Sequence, residues 1–190
     1  MNLTQRFQQP VCLSGNILLS HPSLRDPNFL KTVVFLSSHC EEDGTLGVIL
    51  NRPTGQRLGE LDKQFEDNDF ADVPVFEGGP VEQEKLIVAG WEWLDSPSSF
   101  KLYFGIDLEK ASLLRRENPD IHLACFLGHS GWSPGQLENE LDDDAWLVHN
   151  LDYDLFTKME NESRVWKQIV GSMSDELRLL ADAPENPSQN

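Results

Sequence analysis

Gly128-His129-Ser130-Gly131 sets a hydroxyl beside a histidine and between glycines, a pattern able to present a nucleophile. A nucleophilic serine needs a base within hydrogen-bond reach and an acid to orient that base. Leu36-Ser37-Ser38-His39-Cys40 offers His39 as the base, and Asp95 or Asp107 stands between as the acid. On this reading Ser130 with a histidine would make the chain a serine hydrolase.

The match is thin where it counts. Trypsin-like proteases carry another glycine after the one that follows their serine, and Trp132 stands there. The same tryptophan takes the last glycine position of a lipase-type G-x-S-x-G elbow. A structural reading covers more residues. Ser133 and Gln136 stand in the S-x-x-Q relation of a capping box, with Pro134 at the first helical position. Leu137 and Leu141 follow four apart, and Trp132 could staple the helix start against Leu137. We therefore expect a turn that opens a helix, and no catalytic residue.

Other chemistries find less support. His21, His39, His122, His129 and His149 share no HxxxH or HExxH spacing, so no metal site is assigned. Phe76-Glu77-Gly78-Gly79-Pro80-Val81 lacks the second half of a phosphate-binding GxGxxG, and no cofactor is expected. The formal net charge is −17, from 32 acids against 15 bases, which disfavours nucleic acid and anionic membranes. Nine carboxylates crowd Glu138 to Glu162, and "ENELDDDAW" has no central glycine of a calcium loop. That run reads as a solvated face. Direct DNA binding is the third reading, and it must explain the charge and the lack of a basic stripe.

The positioning elements can be read along the chain. "GNILLS", "KTVVFLSS" and "TLGVILN" read as strands, the last two as a hairpin turning at Asp43-Gly44 and closed by "NRPTG". Strands flank Gly78-Gly79-Pro80, and "SFKLYFGI" is another. Asp107 caps a helix that carries Arg115 and Arg116 in its last turn and stops at Asn118-Pro119. "IHLACFLG" is apolar on both alternating faces, which places Cys125 in a central strand buried on both sides. "AWLVHN" is a further strand, "ESRVWKQIVG" a helix ending at Gly171, and "SDELRLLAD" a short helix from Ser174. Residues 1–182 form one α+β domain, and the polar, proline-rich residues 183–190 are expected to be a mobile tail. Three cysteines without CxxC spacing fit a reducing compartment. No long apolar run or leader is evident, so the expected location is the cytoplasm, away from membranes.

Four segments in order resemble the AlgH/YqgE family of small bacterial proteins: "GNILLSHPSLRDPNF", "GVILNRPTG", "FEGGPV" and "GWSPGQLENEL" with Trp146 after it. The resemblance covers about residues 14 to 170. It implies an α+β fold whose bifurcated, mostly antiparallel sheet forms a pseudo-barrel with packed helices. It carries over no activity and no catalytic residue. One branch is named for an effect on alginate production and bears a transcriptional-regulator label, which implies an indirect regulatory role. His129 and Ser130 stand where members usually have a tyrosine and a small residue, so "GHSG" is a local variant. Members often end the strand after "FEGGPV" in a leucine-histidine pair, where this chain has "LIVAGWE".

The leading expectation is a non-enzymatic protein that binds a protein partner or a small ligand. Its candidate binding residues are Asn51, Arg52, Gly78, Gly79, Pro80, Trp132 and Gln136. They lie in three turns, 51–53, 78–80 and 131–136, each after an apolar strand. Arginine and tryptophan are favoured at binding hot spots, and turn chemistry requires neither. At least two of the turns should touch, with Arg52 or Trp132 partly exposed.

Overall fold

A computed structural model describes residues 12–40, 42–159 and 164–183. Strands β1 (Asn16–Ser20), β2 (Val33–Cys40) and β3 (Gly44–Ile49) pair antiparallel in sequence order. β4 (Pro53–Arg57) pairs with β5 (Pro74–Glu77), and β6 (Val81–Trp93) with β7 (Phe100–Phe104). β8 (His122–Trp132) lies between them, and β9 (Trp146–Asn150) closes the far edge against β1. The sheet runs β4-β5-β8-β3-β2-β1-β9, with β6 and β7 branching from β8. Among the described residues β5 with β8 is the only parallel pair.

The sheet forks on β8. Cys125–Leu127 pair with Val75–Glu77 of β5, whereas Ser130–Trp132 pair with Thr45–Gly47 of β3. Between the two stretches Gly128 takes a φ of +70°, and β8 changes partner there. Gly78, just past β5, donates its N–H to Leu127 O at 2.8 Å and accepts from Ile49 N–H at 2.9 Å. The result is the mixed, curled half-barrel of an α+β domain, as the resemblance implied.

Alternate residues on each strand serve opposite faces, as a period of two requires. Ile17, Leu19, Phe35, Ala124 and Phe126 enter one core cluster under α5 (Val165–Met173), which adds Trp166, Ile169 and Val170. On the opposite face Val75, Leu123 and Cys125 pack with Ala111 and Leu114 of α2 (Leu108–Glu117). Leu18, Val34, Leu36 and Ile49 pack with Trp132, Trp146 and Leu137 of α3 (Gln136–Asp142). With both faces covered, the central strands read as unbroken apolar runs.

Some boundaries differ from the sequence reading. α2 begins where expected, with Asp107 Oδ1 accepting from Lys110 N–H at 2.7 Å. α5 runs through Gly171 to Met173, and Ser174 then caps α6 (Asp175–Asp182). "NRPTG" does close the β2–β3 hairpin, whose last pair is Val34 with Ile49, and its Pro53 opens β4, which pairs with β5. The acidic run contains an additional helix, α4 (Tyr153–Met159). The polar stretch from Asp62 holds a single turn of 3-10 helix (Lys63–Phe65), after the short helix α1 (Leu58–Leu61). Apart from Ala183, the expected tail lies outside the described residues. No helix among them is long and apolar enough to cross a membrane.

Candidate functional site

Two of the three expected turns meet at the fork. The turn after β3 carries Asn51 and Arg52, and their side chains fasten it to the start of β2 and the segment before it. Asn51 accepts from Val33 N–H at 2.8 Å and donates to Lys31 O at 2.9 Å. Arg52 donates from Nη1 to Asn28 O at 2.9 Å and from Nη2 to Leu30 O at 3.4 Å. Its backbone carbonyl accepts from Glu77 N–H at 2.9 Å, which ties the turn to the end of β5.

Gly78, Gly79 and Pro80 follow directly. A Cβ at Gly78 would lie 2.3 Å from Gly128 O, and one at Gly79 would lie 2.3 Å from His129 O. The glycines let this turn lie flat on the backbone of β8, a packing role and not a phosphate cradle. Between the two turns is a cleft of about 270 Å³ lined by Asn28, Ile49, Arg52, Glu77, Gly79, Pro80, Gln83 and Leu127. Two non-glycine residues close in sequence to its lining residues have uncommon backbone conformations. Lys31, whose carbonyl Asn51 holds, has φ +55°, and Glu82, next to Gln83, has φ +49°. Left-handed non-glycine residues cost energy and persist where surrounding contacts enforce them.

The third turn does not contribute Trp132 to this cleft. Trp132 is 5 % exposed, packed on Phe29 and Trp146 with Leu137 in the same cluster. Its indole N–H donates to Glu140 Oε2 at 2.8 Å, and Gln136 donates to Glu140 Oε1 at 2.9 Å. An indole that gains by burial and has its N–H satisfied inside has no reason to face solvent. The capping box is half formed. Gln136 Oε1 accepts from Ser133 N–H at 3.0 Å, but the N-cap of α3 is Gly135, with φ +77°. Gln136 N–H bonds Ser133 O at 2.9 Å, so Pro134-Gly135 is a turn of type II character and the helix starts after it.

Ser130 is fully buried, and its hydroxyl donates to Gly78 O at 3.2 Å. The candidate bases His39 and His129 face other partners. His39 Nδ1 is 2.7 Å from Thr45 Oγ1 and its Nε2 is 3.4 Å from Glu138. His129 Nδ1 is 3.8 Å from Glu82, and Asp107 caps α2. Ser130 helps hold the fork together. Among the described residues no group of three or more His, Cys, Asp or Glu is placed to hold a metal ion.

The profile of the AlgH-like family matches residues 17–178. The chain belongs to that family. It is 34 % identical over 188 residues to a UPF0301 protein of Streptomyces avermitilis, covering 94 % of this chain and 95 % of that one. A UPF0301 protein of Magnetococcus marinus is 34 % identical over 181 residues, covering 90 % and 94 %. Among solved structures, the AlgH protein of Pseudomonas aeruginosa superposes with a TM-score of 0.63 at 27 % identity, covering 95 % of this chain and 99 % of that one. A protein of Corynebacterium diphtheriae superposes at 0.66 with 19 % identity, covering 94 % and 95 %, and shares the fold.

Of the eight residues lining the cleft of this AlgH-like chain, sequence reasoning named Arg52, Gly79 and Pro80 and missed five. Asn28, Ile49, Glu77, Gln83 and Leu127 line it from five different segments. Asn28, Ile49 and Glu77 lie inside three of the family-like segments, so a signal existed at the level of segments. A second cleft, of about 350 Å³, opens near α4 and is lined in part by Arg57, Asp72, Arg115 and Phe156. There Arg115 is already paired with Asp72 at 3.1 Å.

Proposed function

We propose that this AlgH-like chain is a non-enzymatic binding protein that acts in the cytoplasm and takes its ligand in the cleft at the sheet fork. The observation that carries this reading is Arg52. It is half-buried in the cleft wall and held there by two backbone carbonyls. Among the described residues no carboxylate lies within ion-pair distance of it. In a chain with 32 acids, a guanidinium fixed in place without a counter-ion is suited to recognising something from outside.

The burial of Ser130 and its bond to Gly78 O weigh against hydrolysis. A regulatory effect on transcription, suggested by the family resemblance, is then indirect, because the net charge of −17 opposes duplex binding. Ligand occupancy of the cleft would be the signal passed to other components. The test is amide-shift mapping on ¹⁵N-labelled protein with fractions of a native lysate. Perturbed amides should cluster at Arg52, Gly78, Gly79 and Gln83. Shifts confined to other surfaces, or no shift with any fraction, would sink the reading. Fluorescence anisotropy with random duplexes at about 150 mM salt should show no submicromolar binding.

A further inference from the structure

Arg52 shares its cleft with one acid, Glu77. The two residues touch through the backbone, Glu77 N–H to Arg52 O at 2.9 Å, yet their charged groups do not pair. The Asn28 and Leu30 carbonyls draw the guanidinium away. Glu77 is exposed, and among the described residues its carboxylate has no ion-pair partner either. The cleft thus has a positive wall and a negative wall. Half-buried Pro80 and Leu127 add apolar surface, and Asn28 and Gln83 add neutral polar groups.

This charge arrangement selects among ligands. A simple anion matched to Arg52 would meet the Glu77 carboxylate and the field of a chain carrying −17. A simple cation matched to Glu77 would meet the fixed guanidinium. A ligand carrying both charges satisfies both walls and adds no net charge. The volume of about 270 Å³ is at or just below the range usual for ligand pockets, so the ligand is small.

We propose that the Arg52–Glu77 cleft binds a small zwitterion bearing one carboxylate and one ammonium, an amino-acid-like metabolite. The carboxylate takes the guanidinium N–H donors that the two carbonyls leave unused. The ammonium donates to Glu77, and the aliphatic part lies along Pro80 and Leu127. This inference rests on the cleft being the binding site.

The test titrates ¹⁵N-labelled protein with L-leucine and 6-aminohexanoate, which differ in charge spacing, and with hexanoate and hexylamine, which carry one charge each. At least one zwitterion should saturate shifts at Arg52, Glu77 and Gly79. Hexanoate and hexylamine should bind about tenfold more weakly or worse, the value of one lost charge-assisted contact. Glu77→Gln changes an exposed side chain and should leave the fold intact. It should abolish the preference for the zwitterion over hexanoate. Arg52→Gln, which also loses anchoring contacts, should weaken every carboxylate probe, with its spectrum reporting whether it folds. Hexanoate binding as tightly as the zwitterions, or Glu77→Gln preserving the preference, would overturn the proposal and leave the cleft as a binding site. The proposal also fails if all four probes leave the cleft amides unmoved while lysate fractions move them. If saturable shifts appear only away from the cleft, the zwitterion and the site both fail.

Discussion

Trp132 and Trp146 donate their indole N–H groups to the same oxygen, Oε2 of Glu140, at 2.8 and 2.7 Å. Their rings cross edge to face at 5.8 Å, with Phe29 against both. One carboxylate on α3 thus joins the end of β8 to β9. The tryptophans and Glu140 lie in the last family-like segment, so much of its sequence signature has a packing explanation. Glu140→Ala would strand two mostly buried donors, and at about 1–2 kcal/mol each it should cost roughly 2–4 kcal/mol. Glu140→Gln keeps an acceptor and should cost clearly less. Urea unfolding of both variants is the check, and equal losses would contradict the shared-acceptor account.

Ser130→Ala should cost about 1 kcal/mol, the usual net worth of one hydrogen bond. Gly78 O keeps its bond from Ile49 N–H at 2.9 Å, so no acceptor is left bare. No hydrolytic activity should depend on the change. Turnover of any ester or peptide by the native chain that vanishes in Ser130→Ala would show the hydroxyl to be a nucleophile after all.

Cysteine reactivity should split by burial. Burial pushes the Cys125 thiol up to about 12, while Cys12 and Cys40 are exposed. The thiolate is the reactive form, so Cys125 should be inert to maleimide at neutral pH in the folded protein. Mass spectrometry should find label on Cys12 and Cys40, and on Cys125 only after denaturation. Rapid native labelling of Cys125 would mean that β8 opens locally.

These residues show what the sequence made legible. Cys125 could be placed in the core because "IHLACFLG" offers apolar side chains to both faces, and Asp107 could be placed as a cap because its local chemistry suffices. Local turn chemistry misled at Ser133. Pro134 fits a helix start, but Gly135 at φ +77° belongs to a turn. Trp132 is a residue type favoured both in cores and at hot spots, and only the positions of Phe29, Glu140 and Trp146 decide between them. The Arg52–Glu77 pairing of walls was out of reach, since it depends on β8 changing partner at Gly128.

The β6–β7 ladder should show a pH dependence set by Glu92. Lys101 Nζ donates to Glu92 at 3.0 Å and the Tyr103 hydroxyl at 2.9 Å, and those bonds, Lys101's first, hold the Glu92 carboxyl below its ordinary value. The bond to Glu92 raises Lys101 in turn, and Tyr103 also. A depressed acid contributes stability above its unfolded pKa and loses it as pH falls through the folded one. A raised base contributes below its unfolded pKa and loses it as pH rises through the folded one. The stability difference between native protein and Lys101→Met should therefore be flat from about pH 6 to 9 and shrink below about pH 4. Urea midpoints measured across that range decide it. A difference unchanged down to about pH 3 would exclude Glu92 as the titrating group.

Two glycine-to-alanine changes should separate conformational strain from steric clash. Gly135 and Gly79 both have positive φ, +77° and +152°. At Gly135 a Cβ meets nothing within 4 Å. Gly135→Ala should thus cost only the left-handed penalty, about 1–2 kcal/mol. At Gly79 the same Cβ would lie 2.3 Å from the carbonyl carbon and oxygen of His129, so β8 or the turn must move. Gly79→Ala should cost about 3 kcal/mol or more, since strain and clash add. It should also disturb the amides of Arg52 and Gln83, because the turn that moves is the wall of the cleft. Equal unfolding midpoints for the two variants would mean that the turn is not seated on β8 as described, and the cleft would lose the rigid wall on which its recognition depends.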